Sequence, residues 1–240
     1  MKLFQTLFNY VLCTTKQKHI DETHGLGHAI NVLINSHQIF EHEKHNYPEI
    51  IPLEPVIYTS SILHDMCDKK YMDQKEGIKE INKLLHENQL NSMNKHDFGI
   101  EISGPNTLFS KSPCYIMKPR FGFSENDIIN IEAIIETMSY STVKKHGFPE
   151  LGNYNMAYHI VREADLLAAY DFDRAIMYDL YQNNMRLEDA YKSSYELFQK
   201  RVFRHKSDQL LITDYSKQQH DLLCFNANIR INCWKRLLKI

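Results

Sequence analysis

Four ionisable residues stand where the surrounding sequence is apolar: His28, the adjacent pair His64-Asp65, and Asp165. His28 precedes Val32 by four residues and Ile39 by about three turns, so it shares the helix face that the apolar residues mark as inward. His64 has Ile57, Ser60 and Ser61 on its face, and Asp65 directly follows the apolar Ile62-Leu63. Asp165 shares a face with Val161 and Ala168 and is flanked by Ala164 and Leu166. A buried carboxylate without a partner is costly, so each aspartate needs a cation, a hydrogen-bond network or solvent. Singly, each residue has a plain structural reading: a core histidine held by one hydrogen bond, or a helix-end carboxylate in water. Together, two imidazoles and two carboxylates on separate helices can converge on one divalent ion. Their nitrogen and oxygen donors suit Mn, Co, Ni, Zn or Mg rather than a thiolate-seeking metal.

The elements that must carry these residues are helical, because apolar residues recur at helical spacing and strand-like alternation is nearly absent. An amphipathic first helix is expected over Met1 to Cys13. Gly25 and Gly27 sit poorly in a helix interior, so the His28 helix is expected to begin near His28. The next starts around Glu54-Pro55 and runs into His64-Asp65. Asp73 with Glu76, and Ser124 with Asp127, resemble helix N-termini with capping boxes. Gly77 weakens the first of these. A fifth helix follows Gly152-Asn153 and carries Asp165.

From Asn94 to Phe123 the glycines and prolines predict a long irregular connection, a lid or surface excursion. Beyond Phe172 the chain reads as further helices interrupted near Lys206 to Asp214. Neither repeats nor a composition break marks a second domain. The expectation is one all-α domain over 1–240, with a core of about 19–204 and a helical extension over 205–240.

Lysine and arginine total 28 against 30 aspartates and glutamates, which gives no general reason to expect duplex nucleic acid or an anionic membrane as a partner. Five cysteines without a CxxC pair point to a reducing compartment such as the cytoplasm. No stretch approaches the roughly 18 apolar residues of a membrane span, and no P-loop or dinucleotide-binding glycine pattern is present.

The order His28, His64-Asp65, Asp165 resembles the H…HD…D signature of the HD superfamily of metal-dependent phosphohydrolases. His24 to Val32 looks like the family's first histidine-bearing helix, Ile62-Leu63-His64-Asp65 like its lead into the HD pair, and Glu163 to Leu167 like its late aspartate helix. More narrowly, His64 to Tyr71 resembles the HD-x-x-D-x-K segment of small bacterial members that include nucleoside triphosphate pyrophosphohydrolases. The likeness covers roughly Asp21 to Asp171. It departs at Asp165-Leu166-Leu167-Ala168, where the subgroup often has Asp-Arg-Leu-Asp, and this puts a phosphate contact in doubt.

The resemblance implies an all-α, HD-like helical bundle that binds one metal ion through the four residues. It also implies hydrolysis of a phosphate ester or anhydride of a small molecule, a nucleotide above all, by a metal-activated water. Within it, Asp68 is the candidate to orient or deprotonate the water, and Lys70, less so Lys69, to neutralise a phosphate oxygen. His24, near a helix N-terminus, could meet phosphate or brace a ligand. Alternatives are a silent nucleotide-sensing or interaction protein, and a di-iron oxygenase with His86 and His96 as extra ligands. A surface placement is expected for His86, His96, His146, His159, His205 and His220.

Overall fold

The computed structural model describes residues 2–93 and 122–240, and among these every regular element is helical. The chain runs α1 (Lys2–Lys18), α2 (Leu26–Glu43), a 3₁₀ turn (Pro48–Leu53), α3 (Glu54–Leu63), α4 (Gln74–Met93), α5 (Glu125–Thr137), α6 (Tyr140–His146), α7 (Asn155–Ala168), α8 (Phe172–Tyr181), α9 (Leu187–Lys200) and α10 (Asp214–Leu238). Most of the lid expected at 94–123 lies outside the described residues, as does His96.

The middle of the fold is α3, whose residues from Val56 to Leu63 are all buried. A helix apolar or small on every side must be surrounded, and α1, α2, α5 and α7 pack against it. Ile57, Ile62 and Leu63 are fully enclosed, each contributing about 1.5–3 kcal/mol of burial. That burial drives the following residue, His64, into the centre of the molecule. Ser36 of α2 and Ser61 of α3 satisfy each other at 2.6 Å, and Asn35 donates to the Ala164 carbonyl at 3.1 Å. These bonds tie α2 to α3 and to α7, one residue from Asp165.

Local chemistry sets several boundaries. Ser124 and Asp127 form the expected capping box of α5. Asp73 accepts from the Glu76 amide at 3.0 Å at the start of α4. Gly77 belongs there for a packing reason: a Cβ would fall 2.6 Å from that of Cys67. The α2 helix begins at Leu26, just ahead of His28, and α1 continues past Cys13 to Lys18. Ser139 caps the short helix α6 by accepting from the Thr142 amide.

The C-terminal helix is anchored by the two helices that carry His28 and Asp165. Glu43 at the end of α2 accepts from the Tyr215 amide at 2.9 Å. Glu163 of α7, fully buried, accepts from the Ile212 and Thr213 amides at 2.7 and 3.1 Å and from the Thr213 hydroxyl at 2.6 Å. Two carboxylates thus meet the positive end of α10, where free amides and the helix dipole favour them. Arg162 completes the knot by bonding Glu163 and the Leu210 carbonyl.

Three histidines depart from the expected surface placement. His205 is fully buried beside Tyr140 and Tyr170, His220 is buried with Nδ1 2.6 Å from the Tyr170 hydroxyl, and His159 is largely covered by Phe148 and Tyr158. The break between α9 and α10 folds inward and carries His205 with it, which helical periodicity could not register. His86 and His146 are at the surface or half-exposed, as expected.

Burial, with Arg201 and His220 nearby, pushes His205 from 6.5 down to about 3. The folded chain holds it neutral while the unfolded chain takes up a proton below 6.5, so its contribution is full above that pH and lost as pH falls towards 3. His205→Leu is therefore expected to flatten the decline of unfolding free energy by up to about 1.4 kcal/mol per pH unit between about pH 6 and 4 in urea titrations. An unchanged slope contradicts the assignment. Gly77→Ala should cost about 1–3 kcal/mol in the same assay at neutral pH.

Candidate metal centre

His28 lies in the first turns of α2, His64 caps the C-terminus of α3, Asp65 follows in the ensuing turn, and Asp165 sits on α7. The structure brings all four together. The Nε2 atoms of His28 and His64 are 3.1 Å apart, and Asp65 Oδ2 lies 3.3 and 3.2 Å from them. Asp165 Oδ1 approaches the same two nitrogens at 3.2 and 3.8 Å. His28, His64 and Asp65 form the compact group able to hold an ion, and Asp165 lies against its imidazoles.

The donor atoms fit a small divalent cation. A triangle with edges of 3.1, 3.2 and 3.3 Å has its centre about 1.9 Å from each corner, so an ion about 1 Å above that plane sits about 2.1 Å from all three. Asp65 Oδ2 is buried and has no hydrogen bond despite its two close nitrogens. His64 Nδ1 is 2.8 Å from the Ser61 carbonyl, which can only accept. The Nδ1 proton is thereby fixed, so that when the ring is neutral its Nε2 lone pair faces the cluster.

The electrostatics follow from crowding. Burial opposes charge on His64, but the Asp65 carboxylate, aided by Asp165 and the Ser61 carbonyl, pushes it up to about 9. Burial likewise raises Asp65 and Asp165, yet the imidazoles prevail and hold both carboxyls well below their ordinary range. A proton shared among these groups occupies the role a divalent cation would fill.

The other expected residues surround this cluster at a distance. His24 is half-buried, its ring 6.1 Å from that of His28 and its Nδ1 3.0 Å from the Tyr71 hydroxyl. Tyr71 donates to Asp21 at 2.8 Å, and burial pushes His24 down, so His24 stands as a neutral brace. Asp68 was expected near the site if the α3 helix continued past His64. The helix ends instead, and Asp68 accepts from the Lys70 amide at 2.9 Å within its own turn. Lys70 is exposed, with Nζ 3.8 Å from Asp68 and 5.6 Å from the Tyr178 ring centre. Lys69 is exposed. His86 pairs with Glu125 at 3.7 Å, away from the four.

Two arginines at the site were not anticipated. Arg174, in the first turn of α8, donates through Nε to the Thr23 carbonyl at 2.6 Å and places an Nη 3.3 Å from His28 Nε2. Arg201, just past α9, stacks its guanidinium 3.9 Å from the Tyr140 ring centre. No carboxylate lies within ion-pair distance of Arg201 among the described residues, and it feels both the Asp165 carboxylate and the Arg174 guanidinium. A single sequence offers no signal for either, because arginines near helix ends are ordinary surface residues. Beside His28 and Arg174 opens a cavity of about 680 Å³, also lined by Asp21, Thr23, Gly27 and Gln182.

Searches against family models, curated proteins and solved structures find no match to this chain.

Since His64 is protonated at neutral pH without a cation, binding of Mn²⁺ should release protons. Calorimetry at about pH 7 in buffers of different ionisation enthalpy is expected to report that release, and the apparent affinity should rise by about tenfold per pH unit up to about 9. Affinity independent of pH would contradict this reading of the cluster.

Proposed function

We propose that this chain is a metal-dependent hydrolase acting on a phosphate ester or anhydride of a small molecule, most simply a nucleotide. The observation that carries the reading is the meeting of His28, His64, Asp65 and Asp165, drawn from three separate stretches of sequence, at one point. The resemblance to the HD superfamily rests on the same four residues and is part of the proposal. A divalent ion bound there supplies Lewis acidity and a water acidic enough to act as hydroxide near neutral pH.

The chain's own residues would do the rest. Asp65 and Asp165 neutralise the cation, while the Ser61 carbonyl holds the His64 ring in the ligating tautomer. Arg174, 3.3 Å from His28 Nε2, brings to the cluster a guanidinium with no carboxylate partner among the described residues, suited to a phosphate oxygen, and Arg201 feels the Asp165 carboxylate from its place on Tyr140. They compensate for the arginine lacking after Asp165, and Lys70 can reach in from the rim. Asp68 could accept the water's proton after releasing its turn. The neighbouring cavity, about 680 Å³, is large enough for a small molecule. Because Asp21, Glu22, Asp171 and Asp173 line it with Arg174 as its one arginine or lysine, it suits the uncharged part of a substrate rather than its phosphates.

Purified protein with Mn²⁺, screened against nucleotides, should release phosphate or pyrophosphate, and a chelator should stop it. Asp65→Ala and Asp165→Ala are expected to lower turnover more than about 100-fold with folding intact by circular dichroism. Arg201→Ala should raise KM by about 10- to 100-fold. Full turnover in either aspartate variant would remove the mechanism.

A further inference from the structure

The long helix α10 carries a second apolar face that nothing among the described residues covers. Its inner face buries Ala227 and Ile231. On the outside, Leu222, Phe225, Ile229, Cys233 and Leu237 follow at steps of three and four residues. Leu222 is 54% exposed, Phe225 63%, Ile229 49% and Leu237 73%, and Cys233 is also exposed. At 1.5 Å per residue this stripe is about 22 Å long. Its spacing is that of a helix seam rather than of scattered surface residues.

The charges beside the stripe say what fits it. One flank carries exposed Asp221 towards the N-terminal end of the stripe, exposed Asn228 and Asn232 in the middle, and exposed Lys235 and Arg236 near the C-terminus, while Asp214, two turns further back, is paired with Lys217 at 3.6 Å. When two identical helices pack antiparallel, each flank faces the same flank of its mate, with the direction reversed. Asp221 of each copy then meets Lys235 and Arg236 of the other, and neutral amides meet at the centre. A parallel pair would set this flank against the opposite one and make no such match. An anionic membrane would attract Lys235 and Arg236 but repel Asp214 and Asp221.

We propose that the outer face of α10 joins two copies of this chain, antiparallel about a two-fold axis near Ile229. In that pairing Leu222 of each copy packs on Leu237 of the other, and Asp221 meets Lys235 and Arg236. Asp221 now holds Lys206 at 3.0 Å and has an exposed side chain, so it can take a second cation without rearrangement. Four turns of seam fall near the lower end of specific interfaces, about 1,200 Å² in total, so a dimer of micromolar strength is expected.

Sedimentation velocity of the full chain in reducing buffer, from about 1 to 100 µM, should record a concentration-dependent passage from monomer to dimer. Phe225→Glu with Ile229→Glu should leave only monomer, with melting unchanged at the dilute end of that range, where the wild type is itself monomeric, because both side chains are already solvent-exposed. Asp221→Arg and Arg236→Asp should each weaken the dimer by about three- to tenfold, and their combination should restore it. A monomer throughout the range, or one that instead sediments with phosphatidylserine vesicles, would overturn the proposal. So would a dimer indifferent to the Phe225 and Ile229 changes, or charge reversals that fail to restore each other.

Discussion

Two partly buried carboxylates beside two buried imidazoles, Asp65 3.3 and 3.2 Å and Asp165 3.2 and 3.8 Å from the His28 and His64 nitrogens, are the constraint on which the rest of this molecule depends. Such a group cannot be left in an apolar interior without a proton or a cation to hold it together. The surrounding helices are arranged to enforce the meeting. Burial of α3 on all sides fixes where His64 emerges, and the Ser61 carbonyl one turn earlier fixes how its ring is turned. The pairing of Ser36 with Ser61, and of Asn35 with the Ala164 carbonyl, sets the height of α2 and α7 so that His28 and Asp165 arrive at the same level.

The C-terminal third is bound into this arrangement rather than appended to it. Glu43 and Glu163 lie on the helices that carry His28 and Asp165, and both spend their carboxylates on the N-terminus of α10. Any shift of α10 would therefore be felt by the two ligand-bearing helices together. The same region stacks Arg201 on Tyr140 and buries His205 beside Tyr140 and Tyr170. An interface on the outer face of α10 would thus brace the histidine–aspartate cluster from a distance while touching none of its residues.

The all-α class and the four clustered residues were legible because each depends on local pattern. Apolar spacing marks the inward faces of α2 and α7, and a charged side chain on an inward face stands out against it. The capping box at Ser124 and Asp127 was readable for the same reason, since it is complete within four residues. What could not be read depends on contacts distant in sequence. Arg174 is tied to Thr23, and Glu163 to Thr213, across 151 and 50 residues. The end of α3 at Leu63 removes Asp68 from the helical register that would have aimed it at the cluster. Gly77 reads as a flaw in α4 until Cys67 is seen pressed against it.

X-ray absorption on the zinc- or cobalt-loaded protein probes the central claim most directly. A first shell of nitrogen and oxygen near 2.0–2.2 Å, with the outer-shell scattering of two imidazoles and no sulfur, is the predicted spectrum. Sulfur at about 2.3 Å, or fewer than two imidazoles, would contradict it.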